Sequence, residues 1–530
     1  MSGAGSAAGP SSRADQRSAS ASSSSSSTSP STTGDISHIY PVPLFADGSS
    51  TFPSPLPAYG GGSTAASPDL GWTPPPPGSN LELAQVHFFL RHGERTPVRT
   101  RMENSNPPIP KRWNLCHASA AMRANVLQLS AGQPAVDTLP FQRVVEAGPS
   151  KLVPDTGSFT GECLPGELTN LGRMSSFEIG TKLRRLYIDR LGFLPEIVSV
   201  QDQDLFMFRS TNMSRTIETC QQTIAGLLPT HARTSQPVDA FLPRIHVRNF
   251  LTETLIPNTL GCSRFRRLDS HYAEKAATEF NPSLEALDAS LSSHNDGQPI
   301  RVDGHPRLSG LLDTIRASQA HGYPVPAAFL EPKTVEVANR ALLAEWFSGY
   351  NDPDPERALE YRRLSMGRLL SELQERLDAK AKAPEKESLR LSIYSTHDTT
   401  LAGVLSTLDV FDHQWPAFAA TLNFELFRRP TRSDAASSSS DSRSSLGILS
   451  LLGFKDKTAQ QPDPHYVRVR YGAETLRLPA CAAAGKHLDG HAEFCTLDAF
   501  REVVDSLRHP EGLSWEAECE AGAKQKKTRK

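Results

Sequence analysis

The sequence predicts an α/β protein, a doubly wound mixed sheet with an inserted, mostly helical cap. Three observations carry that expectation. Short apolar runs at Val86–Leu90, Leu205–Phe208 and Leu391–Tyr394 each stop at a turn and are followed by loop or helix signals. Nearly continuous runs of this length suit strands buried on both faces. Ionisable residues collect where the runs stop: Arg91, His92 and Arg95 after the first, Arg209 after the second, His397 and Asp398 after the third. Between the second and third runs, Thr230 to Pro355 alternates loops with helical stretches and has weak strand signals.

Composition sets the bounds. A chain of 530 residues holds more than one domain's worth of core. A net charge of −2 gives no reason to expect a nucleic-acid partner. Seven cysteines are too few for a disulfide scaffold, and the odd count leaves at least one thiol free or paired outside the chain. No apolar run is long enough to span a bilayer, so membrane contact is expected to be peripheral at most. Residues 1–80 are rich in Ser and Pro and are expected to be disordered, because they carry too little apolar surface to offset the entropy of ordering. They contain no apolar core of a secretory signal, which points to the cytoplasm or the mitochondrion. A monomer is expected.

The elements follow in order. The first run leads into Arg91-His92-Gly93-Glu94-Arg95-Thr96-Pro97, where Gly93 allows close approach of a ligand and Pro97 ends the segment. A loop at Glu103–Pro110 precedes a short helix expected over Ala118–Gln128, and Gly148–Gly166 reads as loop. Thr169 is a natural N-cap for an amphipathic helix over Asn170–Leu191, stopped by Gly192 and Pro195. Ile197–Val200 suits a short edge strand. After the second run, Ser210-Thr211-Asn212 caps a helix that holds Arg215, assigned to a structural ion pair, and Cys220, expected to be buried and inert. The α/β core is assigned to 81–230 and 360–510 and the cap to 231–359, with Glu253–Asn258 as a compact turn. Leu359–Leu377 returns to helix. Strands at Leu422–Phe427 and Val467–Tyr471 flank a low-complexity insert, 431–464. Its apolar stretch, Leu446–Phe454, is expected to pack on the protein as a short helix, with membrane contact as the alternative. The tail, 511–530, is polar and basic.

The residues at the strand ends suit phosphate. Guanidinium forks match its oxygens, and helix amino termini offer free N–H groups. Arg91, Arg95, Arg209 and His397 would offset the charge of a phosphate monoester. His92, if neutral, would attack phosphorus and form a phosphohistidine, and Asp398 would protonate the leaving alkoxide. No carboxylate cluster has metal spacing, so neither metal nor other cofactor is expected.

RHGERTP, RSTNMSRT and STHDTTL, with GELTNLG between the first two, resemble the signature of the histidine acid phosphatases, a branch of the phosphoglycerate-mutase-like superfamily. The resemblance implies that family's α/β fold with its cap, His92 as nucleophile and Asp398 as proton donor. It also implies a phosphate pocket of Arg91, Arg95, Arg209 and His397. The segments ETLIPN, LDVFDHQWPAFA and VRVRYGAETLRLPAC are similar to the phosphatases of lysophosphatidic acid. They suggest a lysophospholipid substrate, with phytate or a sugar phosphate as alternatives and a silent binding module as the non-enzymatic one. The family often carries a cysteine pair where Cys481 and Cys495 stand, so a bridge is expected there.

Overall fold

The computed structural model describes residues 67, 69–130, 133–145, 161–234, 239–430 and 463–520. The first apolar run becomes β1 (Glu82–Arg91), an inner strand of a nine-stranded sheet. Ala121–Ser130 and Gln133–Gln142, named β2 and β3, form a separate hairpin. In the main sheet β4 (Phe206–Ser210), β5 (Ile245–His246) and β6 (Leu391–Thr396) run parallel to β1, in the order β1-β6-β4-β5. On the other side of β1, β7 (Thr421–Arg428) and β8 (His465–Tyr471) are antiparallel neighbours. β9 (Glu474–Leu476) pairs with β8, and β10 (His487–Leu488) and β11 (His491–Thr496) complete that wing.

The alternation of side chains along β1 explains the two helical layers. Val86, Phe88 and Leu90 pack against α2 (Asn170–Arg184) and α3 (Ser214–Leu227); a four-residue helix, α1 (His117–Ala120), precedes them. Phe89 enters the core on the opposite face and stacks on Tyr394 with ring centroids 4.3 Å apart. The cap consists of α4 (Ser263–Glu285), the short α5 (Asp288–Leu291), α6 (Leu308–Ala320) and α7 (Pro332–Phe347). Cap helices close a second apolar core over Met102, Ile109 and Trp113 of the loop that follows β1. α8 (Pro355–Arg362), α9 (Arg368–Lys382), α10 (Asp398–Thr407) and α11 (Leu497–Ser506) cover the Phe89 face. α12 (Trp515–Glu520) closes the described chain.

Several local expectations change. Ala118–Gln128 is not a helix beyond Ala120. β2 pairs through ten residues with β3, setting Met122 opposite Phe141 and Ala124 opposite Leu139. A partner strand supplies these cross-strand contacts, which local periodicity does not reveal. Ile197–Val200 supplies only a bridge from Val198 to Arg233 before a 3-10 turn begins at Val200. The expected helix over Asn170–Leu191 is α2 continued by a π-helical turn, Arg185–Arg190.

Ordered chain also begins earlier than the 81 boundary. Leu70 and Trp72 are buried, and two fully buried arginines hold this segment to the sheet. Arg470 donates to the Leu70 carbonyl at 2.7 Å and Arg468 to the Thr73 carbonyl at 2.7 Å. Both are balanced by the buried Glu425, at 2.7 Å from Arg468 and 3.2 Å from Arg470. At the other end, Trp515 and Cys519 are buried, so this part of the expected tail is folded. The insert stretch Leu446–Phe454 lies outside the described residues, as does most of the segment 1–80.

Cys481 and Cys495 are bridged, as expected. Two further disulfides were not foreseen: Cys116–Cys163 staples the loops on either side of the hairpin, and Cys262–Cys519 ties the start of α4 to α12 across 257 residues. Cys220 is left free and buried, where burial pushes its thiol up to about 12. In denaturant without reductant, thiol titration is expected to find one reactive cysteine per chain, rising to seven after reduction.

Candidate active site

In-register pairing sets three strand ends side by side. Arg91 of β1 lies opposite Thr396 of β6, and Ser210 of β4 lies opposite Ser395. The residues just past these positions therefore share the carboxyl edge of the parallel strands, where open α/β sheets hold their ligands. The His92 backbone N–H donates to the Thr396 carbonyl at 2.9 Å, which extends the ladder into the turn after β1. β7 enters this edge from the opposite direction, so the loop Pro416–Ala420 that precedes it joins the site.

The turn after β1 is pinned by α2. Thr169 caps α2 by accepting from the Gly172 N–H at 3.2 Å, and its own N–H donates to the Glu94 carbonyl at 3.0 Å. Glycine is required on both sides of this contact. A Cβ on Gly93 would lie 2.4 Å from the Gly172 carbonyl oxygen, and one on Gly172 would lie 2.1 Å from that of Glu94. The first motif and GELTNLG are thus two halves of one close approach.

His92 is buried and faces His397, ring centroids 5.6 Å apart. Its Nδ1 lies 2.9 Å from the Gly93 carbonyl oxygen, which can only accept. Nδ1 therefore carries the proton, and Nε2 keeps the lone pair. Burial, followed by the charges of Arg215, Arg91 and Arg95, holds the imidazole well below its ordinary value, so it stays neutral in acid. His397 is pushed down to about 3, mainly by burial and then by Arg215. It was expected to add positive charge; neutral, it offers a hydrogen bond instead. Its Nε2 is held 3.0 Å from Thr211 Oγ1.

Asp398 opens α10. Arg91 reaches its Oδ2 at 2.6 Å, and the Thr399 N–H donates to Oδ1 at 2.8 Å. Burial alone would raise this carboxyl, but Arg91, then Arg95 and His397, outweigh it and hold it below the ordinary carboxylate value. Arg91 also donates to the Pro416 carbonyl at 2.6 Å. Arg95 pairs with Asp313 of cap helix α6 at 2.8 Å, which bolts the cap to the site. Phe418 backs both guanidiniums, 4.2 Å from Arg91 and 5.7 Å from Arg95.

The structure exchanges the expected places of two arginines. Arg209 leaves the clamp. Its guanidinium is buried against Glu253 at 2.6 Å and Glu372 of α9 at 2.8 Å, and it also donates to Thr254 at 2.8 Å. One residue short of the strand end, it points across the sheet face rather than off the edge. Arg215, expected in an ion pair, has no carboxylate partner among the described residues, and its Nε is buried without a hydrogen bond. Of the neighbouring charges, it acts most strongly on both His92 and His397. Burial, then Arg95, draws its own value down to about 10. Helical side chains lean toward the amino terminus, so an arginine in the first turn of α3 leans back toward the strand edge. That lean was the sequence signal available for it.

A cavity of about 840 Å³ opens above Arg91, Arg95 and Asp398. Arg99, Arg101, Arg307 and Arg316 add cationic lining, and Leu342, Trp346 and Trp415 add an apolar wall. Among the described residues no group of three or more His, Cys, Asp or Glu side chains is placed to hold a metal.

Residues 82–471 match the model of the histidine phosphatase superfamily, branch 2. The chain belongs to that family. It is a phosphomonoesterase of the histidine acid phosphatase type. A probable acid phosphatase of Schizosaccharomyces pombe is 32% identical over 446 residues, covering 81% of this chain and 92% of that one. The human lysophosphatidic acid phosphatase type 6 is 26% identical over 369 residues, covering 66% of this chain and 75% of its own. Among solved structures, Hafnia alvei phytase aligns with a TM-score of 0.48 at 15% identity, over 83% of this chain and all of that one.

For this histidine phosphatase, Arg215→Ala is expected to lower kcat/KM for para-nitrophenyl phosphate by about 10²–10³-fold, the cost of one preorganised donor, with little change in melting temperature. Arg209→Ala should instead destabilise the fold by about 3–5 kcal/mol, because it strands a buried carboxylate. Denaturation midpoints and kinetics measured on the same preparations separate the two.

Proposed function

We propose that this acid phosphatase works through a phosphohistidine on His92 Nε2, with Asp398 as proton donor and Arg91, Arg95, Arg215 and His397 around the phosphate. The observation that carries the reading is His92, its lone pair left on Nε2 by the contact of Nδ1 with the Gly93 carbonyl, set at one sheet edge with the buried Arg91 and Arg95 and the partly buried Arg215. Attack forms the N–P bond and breaks the ester P–O bond. The proton of Asp398 passes to the leaving oxygen, and the alcohol departs. Water then attacks the phosphohistidine, with the same carboxylate as base, and releases inorganic phosphate.

In the free site the arginines keep Asp398 ionised. A bound phosphate dianion opposes their charge and raises the carboxyl, so the donor is protonated in the complex only on the acid side. His92 remains unprotonated there. With an alkyl phosphate, kcat should fall as pH rises through the Asp398 value in the complex, and Asp398→Asn should remove that limb. Para-nitrophenyl phosphate hydrolysis should persist in EDTA and drop more than about 10³-fold in His92→Ala, as expected for loss of a nucleophile. Equal rates for wild type and His92→Ala would count against the mechanism.

The cavity favours a monoester carrying further negative charge, the phytate or sugar-phosphate class, over lysophosphatidic acid. Arg99 and Arg101 face it without a carboxylate partner among the described residues. Space for the Arg101 guanidinium is kept by Gly310 of α6, where a Cβ would lie 2.7 Å from it. The apolar wall supports the lipid as the second reading. A kcat/KM panel of phytate, sugar phosphates and lysophosphatidic acid decides between them. The first reading expects Arg101→Ala to reduce turnover of the polyanion about tenfold, in a salt-dependent way, and to spare para-nitrophenyl phosphate. A preference for the lipid, indifferent to Arg101, would overturn it. The three disulfides support maturation in an oxidising compartment rather than the cytoplasm, and the thiol count above bears on this directly.

A further inference from the structure

Trp415 lies outside the phosphate clamp yet touches its acid. Its indole N–H donates to Asp398 Oδ2 at 3.0 Å, the same oxygen that Arg91 holds at 2.6 Å. The ring is itself braced by the cap. Arg316 of α6 lies over it at 5.1 Å, and Trp346 and Phe347 of α7 meet it with centroids 5.9 and 5.6 Å away. The backbone behind it is fixed as well, since the neighbouring Pro416 carbonyl accepts from Arg91. Among the described residues, Trp415 is thus the one side chain that both hydrogen-bonds Asp398 and packs on two cap helices.

We infer that Trp415 is a positioning residue for the general acid: its N–H sets the orientation and proton affinity of the Asp398 carboxyl and makes both depend on the placement of the cap. The inference rests on the reading of Asp398 as proton donor. An N–H aimed at a carboxylate oxygen stabilises the anion and competes with the proton, so it lowers the acid's affinity for that proton. The other groups facing Asp398 are Arg91, Arg95 and His397, with Arg215, Asp313 and Tyr471 acting at longer range. Each of these charged or titrating groups is left in place when only the indole N–H is removed. Orientation matters because the proton must leave along the line of the breaking P–O bond, toward the ester oxygen.

Trp415→Phe removes the donor and keeps an aromatic ring for Arg316, Trp346 and Phe347. Acid assistance is worth most for an alkoxide leaving group and least for para-nitrophenolate. The variant is therefore expected to lose about 10–100-fold in kcat/KM on glycerol phosphate and less than about threefold on para-nitrophenyl phosphate. The alkaline limb of kcat on glycerol phosphate should move up by about one pH unit, since the carboxylate loses a hydrogen bond to a charged group. In an Asp398→Asn background the same substitution should change neither substrate further. Equal losses on both substrates, an unmoved limb, or an undiminished effect in the Asp398→Asn background would overturn the inference. Binding of inorganic phosphate, read as a thermal shift, reports whether the variant's site is intact. Should Trp415→Phe not fold, Trp415→Met fills similar space without the N–H and is read by the same criteria. If His92→Ala and Asp398→Asn behave as an enzyme of this type requires while Trp415→Phe does not, only the role of Trp415 falls.

Discussion

The catalytic edge depends on backbone register. β1, β6 and β4 pair in parallel with their last residues within one position of each other, so three turns far apart in sequence open at nearly the same height. Because side chains alternate along a strand, a slip of one residue would reverse the face of every one of them. The His92 N–H bond to Thr396 shows how directly the ladder feeds the site: the backbone of His92 is itself the next rung. The alternation that sends Val86, Phe88 and Leu90 to one helical layer and Phe89 to the other is what locks this register.

Charge is the second constraint, and it is handled by pairing. Bringing arginines together in a buried place costs solvation and mutual repulsion. Arg91 is offset by Asp398 and Arg95 by Asp313, while Phe418 lies against both. Arg215 has no carboxylate partner among the described residues, and its charge, after burial, holds both imidazoles below their ordinary value. The same positive surroundings therefore hold the His92 imidazole well below its ordinary value. They also hold the Asp398 carboxyl below its own. One set of guanidiniums acts in both directions because the two groups bear opposite charge types.

Much of this was legible in the chain. RHGERTP and STHDTTL each combine a strand, a turn and their ionisable residues within a few positions, so local sequence carried the edge, His92 and Asp398. RSTNMSRT was harder, because it offers two arginines six residues apart. Strand end against helix start does not by itself choose between them. What decides is the direction of each side chain, and Arg209 is claimed by Glu253 and Glu372, residues 44 and 163 positions away. Trp415, Phe418 and Asp313 carry no local mark of their role; loop and cap bring them in over long separations. The stretch Ala118–Gln128, most of it in β2, was misread as helix for a related reason, since its apolar residues find their partners only across the turn.

Taken alone, the amino-acid order determined the α/β architecture, the helical insertion and the strand-end positions of His92 and Asp398, because hydrophobic periodicity and turn chemistry act over a few residues at a time. Tertiary structure decided which arginines gather at the sheet edge, which carboxylates accompany them, what lines the cavity and which cysteines join. Those outcomes depend on side-chain direction and on contacts between segments hundreds of residues apart, where burial and charge balance select one partner among several that the sequence leaves equal.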